Sequence, residues 1–552
     1  MSVANLGLPD LRLETVIRGW RAPALLVLLC LALYLPGIAS LPPTDRDEAR
    51  FVQATRQMLE SHDFLLPRFQ DEARNKKPAG IYWLQAVAVS LFSTARSTAI
   101  WPYRLPSLLG AIASVLLAFR FAVSWVRRDV AFIGAALLAA SLGLTIEAHI
   151  AKTDAVLLAT VVAAQGALGE IYRRACNAEA IDWRMPLVFW VAQGVGLLIK
   201  GPVTPFLSLL TAAMLSVTER DSHWLREFRI GWGLPLALLI AGPWMLAATF
   251  LTEGAFVRDS VGGDLLAKII HGQEGHGAPP GTYLLAAFLT FWPGSLLLGA
   301  AARLAWRDRQ DNLIRFLAAW ILPYWVVVEL IPTKLPNYIL PVYPALALLA
   351  ACAFAEPRRS WLDVASVVLW SVATLALAGV LATAPLALAQ ELPPIEIGAA
   401  VLVLAVAAAF LLGYLRGDPR ILPGLLAAVL LAEGVFRFAL PTLDPIWVSR
   451  SAARAIARDH LQGRPVAAAG FAEPSLVFLL GTNTLLTSGE GAASFLAKTP
   501  GAIALVSDRD EAAFRAALTA AHIDATAVDT VSGLNYSNGR HVVLTLYEAA
   551  SK

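Results

Sequence analysis

Asp45, Arg46, Asp47, Glu48 and Arg50 crowd acids and bases into six residues directly after an apolar run. Charge gathered at a bilayer edge is costly to keep without a use, so Asp47 and Glu48 are the first candidates for chemistry. A carboxylate there can orient or deprotonate an acceptor hydroxyl. The plain alternative is an acidic pair that complements a helix macrodipole. The same charged stretch, 42–78, closes on Lys76-Lys77-Pro78. Lys77 is a candidate phosphate ligand, acting as a point charge; its plain role would be a snorkelling anchor.

Three further segments have comparable character. In 332–341, PTKLPNYILP, three prolines within ten residues fix a rigid turn that presents Lys334 and Tyr338 as a cation and a hydroxyl donor. In 149–154, HIAKTD, Asp154 is a second candidate carboxylate, or simply the N-cap of the next helix. The Gly- and Pro-rich stretch 262–283 carries Lys268 and reads as a lid that orders over a bound lipid. Its His271, Glu274 and His276 lack the helical i, i+4 spacing of a metal-binding pair, so neither a metal nor another cofactor is expected.

These residues must be held by membrane helices. The chain has 552 residues, 57% hydrophobic and 15% charged, with a mean hydropathy of +0.62. A soluble domain of that composition would aggregate. Apolar helical spans are expected near 21–40, 104–125, 130–147, 154–172, 186–199, 202–217, 231–251, 283–303, 313–331, 338–355, 362–384, 396–415 and 420–437, about thirteen in all. The first is read as a retained anchor rather than a cleaved signal. Cys30, Cys176 and Cys352 have no metal-like spacing and form no disulfide framework.

Orientation follows from arginine. With 79–94 lying along the interface, Arg127/Arg128, Arg173/Arg174, Arg220/Arg226/Arg229 and Arg303/Arg307/Arg309 all fall on one side, which is then cytoplasmic. The other side holds Lys76, Lys77, Lys152, Lys200, Lys268 and Lys334, together with 41–103, 252–282 and everything after 438. That outer side is the working face. Beyond Asp444, helical and strand-like runs alternate and end in a hairpin signal at Asn538-Gly539, as in a small α/β domain. The expected fold class is therefore a polytopic all-α membrane domain, 1–440, followed by an outer α/β domain, 441–552. The latter reads as a structural or partner-binding cap.

An outward acidic motif after the first span, a downstream Lys-Pro, Thr-x-Asp at a later outer helix start and Lys-x-Pro-x-Tyr-x-x-Pro beyond it form a combined pattern. It resembles the ArnT-like lipid A 4-amino-4-deoxy-L-arabinose transferases and, more distantly, the protein O-mannosyltransferases. Both are membrane glycosyltransferases of the GT-C type. The resemblance covers about 20–440, and more loosely the tail. It implies transfer of a sugar from a polyprenyl-phosphate donor to lipid A, core or another envelope glycan at the periplasmic face of a bacterial inner membrane, with membrane lipids but no nucleic acid as partners. It matches Asp47 to the acid at the reacting centre; Glu48 and Asp154 stand beside it as catalytic candidates read from the residues themselves. It matches Lys77, Lys334 and Tyr338 to groups around the donor phosphate, and Lys268 to an arginine of the long loop. Where the family reads Glu-Lys-Pro-Pro this chain has Lys76-Lys77-Pro78-Ala79, and Asp264 stands where arabinose transferases have a histidine. Those departures remove ligands from the place where the family has a metal.

Two rival readings stay open at the level of sequence. A polyprenyl-linked glycan transporter or flippase would need charges within its spans or broken helices in repeated halves. A protein O-glycosyltransferase would keep the fold and change the acceptor.

Overall fold

The computed structural model describes residues 11–266, 277–356, 360–390 and 392–549. Every one of the thirteen apolar stretches falls on a helix or a broken helix. Among the described residues, seven helices are long and apolar enough to cross a membrane: Trp101–Ala122, Asp154–Cys176, Ile230–Leu251, Asn312–Leu330, Trp361–Ala389, Pro394–Arg416 and Ile421–Thr442. The protein is a multi-pass membrane protein.

Several stretches are broken where the sequence reads as continuous. Arg128–Ala140 and Leu142–Ala148 meet at a bend of 59°. Ser141 between them is extended, and the Leu142 N–H that the break releases donates to the Trp292 carbonyl at 3.1 Å. A helix can break at depth when a neighbour satisfies the freed backbone in this way. The bend aims the short helix Leu142–Ala148, with Glu147, at the 149–153 turn. The stretch 338–355 likewise opens with two short 3₁₀ turns, Pro336–Tyr338 and Leu340–Val342, as its prolines require.

Between the first two spans lies the helix Asp47–Ser61, the hairpin of β1 (Arg68–Phe69) with β2 (Glu72–Ala73), and the helix Gly80–Phe92. Asp47–Ser61 is amphipathic: Glu48, Phe51, Val52, Thr55 and Met58 recur at helical spacing and are all buried. Phe51 packs on Tyr82 of the next helix with ring centroids 5.3 Å apart. Behind this pair the first span docks on the last. Gly37 (φ +77°) lies so close to Phe436 that a Cβ would stand 1.9 Å from its carbonyl oxygen, leaving room for glycine alone.

The chain after 447 forms a five-stranded sheet of β3 (Val466–Ala469), β4 (Leu485–Thr487), β5 (Ile503–Ser507), β6 (Ala525–Asn535) and β7 (Arg540–Ala549). Its order is β4-β3-β5-β7-β6, with β4, β3 and β5 parallel and β7 antiparallel to both neighbours. β3 and β5 are buried along their whole length, as expected of strands covered on both faces. The Asn538-Gly539 turn joins β6 to β7. The helix Pro474–Leu480 places Phe478 in one apolar cluster with Val52, Val89, Tyr103 and Ala151, so this unit rests directly on Asp47–Ser61.

Candidate functional site

The neighbouring acids Asp47 and Glu48 face opposite ways. Glu48 starts the buried stripe of its helix; Asp47, one residue earlier, is exposed. Both Glu48 oxygens are saturated. Oε1 accepts from Arg104 Nε at 2.8 Å and the Ala151 N–H at 2.7 Å. Oε2 accepts from Arg104 Nη2 at 2.9 Å, the Thr44 N–H at 2.8 Å and Thr44 Oγ1 at 2.9 Å. Arg104 also donates to the carbonyls of Ile38, Leu41 and Pro42, and both side chains of the pair are fully buried. Burial opposes ionisation of Glu48, yet Arg104 and the N–H donors hold its carboxyl below the ordinary value. The expected catalytic part for Glu48 is therefore corrected. No lone pair faces a substrate, and the residue pins the end of the first span, the Trp101–Ala122 helix and the 149–153 turn together.

Asp154 sits at the N-terminus of one helix and Lys200 at the C-terminus of the next, Arg184–Lys200. Each charge complements its helix dipole, and they meet at 2.5 Å. Asn337 from the proline-rich turn donates to the same Asp154 oxygen at 2.7 Å. Lys152 lies 3.8 Å from Asp154 and 3.0 Å from Glu147. Burial favours the neutral amine of Lys152, but Glu147, Asp154 and Asp47 outweigh it and hold the group as a firm ammonium. The field of Asp47 thus reaches this cluster, and also the Tyr82 phenol. Two carboxylates and two ammonium groups are joined within the field of an exposed third carboxylate, and the two ammonium groups are suited to stabilising an anionic leaving group. Glu147, Lys152, Lys200 and Asn337 were not among the residues selected from sequence. The two lysines were visible there as outer-face cations, Lys152 beside Asp154 at a helix boundary and Lys200 before a Gly-Pro turn, without a role in the site.

The proline-rich turn delivers its two selected residues differently. Tyr338 is half-buried, with its ring 5.9 Å from Lys200 Nζ, so it joins the cluster. Lys334 turns away. Its ammonium donates to the carbonyls of Val328 at 3.1 Å, Glu329 at 2.6 Å and Ile331 at 2.5 Å, closing the C-terminus of Asn312–Leu330. All three donors are spent, and burial lowers its pKa. The phosphate-binding part read for Lys334 is corrected to a helix cap.

Lys77 is half-buried between β2 and Gly80–Phe92. Its loop meets the long outer segment through Asn75, which donates to Asp259 at 3.1 Å. The far end of that segment is fastened by a bridge between Gly277 and Thr333, and by Glu329 accepting from the N–H groups of Gly281 and Leu284. Lys268 and the His271, Glu274, His276 set lie outside the described residues. Among the described residues no cluster of His, Cys, Asp or Glu is arranged to hold a metal. The exposed cation Lys76 in the family's acidic position is also a poor neighbour for one.

The loop ahead of Asp47 is gripped by the C-terminal unit. Asp45 accepts from the Ser475 N–H at 2.9 Å and Ser475 Oγ at 2.7 Å, and its own N–H donates to the Tyr536 hydroxyl at 2.6 Å. Arg46 lies 3.7 Å from Glu473. Farther along the helix Arg56 donates to the Phe478 carbonyl, and Gln53 to Thr482. Burial pushes the Asp45 carboxyl from 3.8 up to about 7; the Ser475 hydroxyl and the nearby Arg46 pull it down and Glu473 adds to the rise. A carboxyl raised in the folded state favours the docked form most at low pH. That contribution is present below about 4 and is lost as the pH climbs through about 7. Amide exchange in Pro474–Leu480 should therefore speed up between pH 4 and 7 beyond its intrinsic rise, and Asp45→Asn should abolish the excess. An unchanged profile in the variant would refute the assignment.

No protein-family model matches the chain. It is 30% identical over 318 residues to the undecaprenyl phosphate-alpha-4-amino-4-deoxy-L-arabinose arabinosyl transferase of Pseudomonas aeruginosa (strain LESB58), a match that spans 57% of this chain and 56% of that protein. A Pseudomonas fluorescens (strain Pf0-1) protein of the same description is 29% identical over 345 residues, 62% of this chain and 60% of that one. The chain thus matches little more than half the length of these curated relatives. In structure it is similar over 95% of its length to ArnT from Cupriavidus metallidurans bound to undecaprenyl phosphate, with 97% of that chain covered, a TM-score of 0.72 and 19% identity. The oligosaccharyltransferase of Archaeoglobus fulgidus in its apo form follows at a TM-score of 0.52 and 12% identity, over 93% of this chain and 70% of that one. The chain is similar in part of its sequence to these arabinosyl transferases, and in fold to ArnT.

Proposed function

We propose that the protein is a glycosyltransferase that moves one sugar from a polyprenyl-phosphate carrier to a phosphorylated envelope glycolipid of the lipid A or core class. The observation that carries this is the exposed Asp47 together with the buried Asp154 and its half-buried partners Lys152 and Lys200, in an ArnT-like fold. The acceptor oxygen attacks the anomeric carbon and the bond from that carbon to the phosphate oxygen breaks. The electron pair leaves with polyprenyl phosphate. Lys152, Lys200 and the Tyr338 hydroxyl, with Lys77 from the flanking loop, meet the growing negative charge. Asp154 holds Lys200 and the turn carrying Tyr338 in place. Asp47 takes the proton when the acceptor is a hydroxyl and orients it when the acceptor is already an anion.

The same proposal divides the chain into a membrane unit, 1–440, and an outer unit, 441–552. The shorter and broken helices complete about thirteen crossings. The arginine asymmetry puts the site and the outer unit on the periplasmic side of an inner membrane.

The test is reconstitution in nanodiscs with a phosphorylated glycolipid and undecaprenyl-phosphate 4-amino-4-deoxy-L-arabinose, then a hexose-bearing carrier, followed by mass spectrometry. Transfer predicts a sugar increment on the glycolipid matched by an equal amount of released polyprenyl phosphate. Carrier that crosses a sealed bilayer uncleaved, or sugar found on protein alone, would overturn the reading.

A further inference from the structure

The outer unit holds a polar cavity of about 400 Å³, and the transferase mechanism makes no use of it. It opens at the carboxyl ends of β3 and β5. The chain leaves β3 for β4 on one side of the sheet, then returns across β3 to lay down β5 on the other. Between β3 and β5 the connections therefore run in opposite directions. In parallel α/β sheets such a switch point is where the crevice for a ligand forms.

The walls match that placement. Gly470 follows β3 at φ +75°, and a Cβ there would stand 1.9 Å from Ser507 Oγ and 2.3 Å from Asp510 Oδ2. The backbone thus lies directly against the floor of the cavity, which only glycine permits. Ser507 closes β5; it is fully buried and its Oγ has no hydrogen-bond partner among the described residues. A buried hydroxyl left unpaired is costly and marks a place where a partner belongs. Around the rim stand Arg509, Arg540 and His541, with Asn535 and Asn538 between them. Neither guanidinium makes an ion pair or a side-chain hydrogen bond among the described residues. Of the nearby carboxylates, Asp510 accepts from the Gly489 N–H at 3.1 Å, and Asp508 is exposed.

We infer that this cavity binds a phosphorylated saccharide. The two rim guanidiniums take the phosphate, for which their forked donors are suited. The Ser507 hydroxyl, the Asn538 amide and Asp510 are left for sugar hydroxyls. The cavity also borders the transferase loop. Asn535, one of its walls, donates to Glu473 at 2.8 Å, and Glu473 pairs with Arg46, next to Asp47. Its neighbour Tyr536 accepts from the Asp45 N–H. A headgroup phosphate held here would anchor an acceptor beside the reacting centre. The binding claim itself does not depend on transfer.

The experiment is a titration of the full-length protein in nanodiscs. One arm uses soluble glucosamine 1-phosphate; the other uses nanodiscs carrying a phosphorylated glucosamine glycolipid or its dephosphorylated form. Wild type should bind, Arg509→Ala with Arg540→Ala should weaken binding by about tenfold or more, and the double lysine variant should recover part of it. Added salt should weaken wild-type binding too. Binding of the soluble probe means the site accepts a free sugar phosphate; binding of the phosphorylated lipid alone means it reads a headgroup. No binding in either arm, or equal binding by the alanine variant, would overturn the inference. Amide exchange on wild type gives a reading without mutation: probe that binds yet leaves 507–510 and 535–542 unprotected would also overturn it. Both tests are scored with no sugar transferred, so a failed transferase reading and a failed binding site are told apart.

Discussion

Asp47→Asn should lower sugar transfer about 10²–10⁴-fold with the protein still folded and still binding its carrier. The side chain is exposed at the first position of its helix, so the amide costs little packing. What it removes is a negative charge whose field reaches Lys152, and with it an exposed carboxylate able to accept a proton. The check is single-turnover transfer in nanodiscs, with carrier binding measured beside it. A variant within twofold of wild type would remove Asp47 from the reacting centre.

Glu48→Ala, one residue on, should fail in a different way. It strips five hydrogen bonds from Arg104, Ala151 and Thr44 and leaves the Arg104 guanidinium charged and enclosed. Breaking one side of a buried ion pair costs about 3–5 kcal/mol, a large share of any protein's stability. The measurement is thermal unfolding in detergent beside carrier binding, and both should collapse together. Glu48→Gln keeps an acceptor and should be milder. The wild-type carboxyl is held low in the folded state, so its stabilisation is present above the ordinary glutamate value and is lost as the pH falls through the folded one. An alanine variant with wild-type unfolding would refute the pinning role.

The contrast between these acids was partly legible. The spacing of Glu48, Phe51, Val52 and Thr55 already marks an inward stripe and leaves Asp47 outside it. Reading the pair as one motif hid that. Asp154 was recoverable from its place at an outer helix start. Its partners Lys200 and Asn337 were not, because they come from 46 and 183 residues away. Arg104 reads in sequence as an ordinary charge at the edge of an apolar run, and nothing local announces that it faces Glu48. Lys334 misled because a lysine after a helix fits two roles, and local sequence does not say whether it turns back to the carbonyls. The break at Ser141 was missed for a related reason: hydropathy does not register which neighbour will satisfy a freed N–H.

The grip of the outer unit on the acidic loop also has a meaning for synthesis. Asp45 is fastened by Ser475 and Tyr536, 430 and 491 residues later in the chain. A ribosome must reach Tyr536 before the second residue of that handshake exists. Until then Asp47 stands on a segment held from the membrane side by Glu48, Arg104 and Phe51, however many spans have already entered the membrane. Chains stalled or cut before 473 would sit in the bilayer, well inserted, with the site at their beginning still unfinished. The last fifth of the sequence thereby acts as a proofreader of the first tenth.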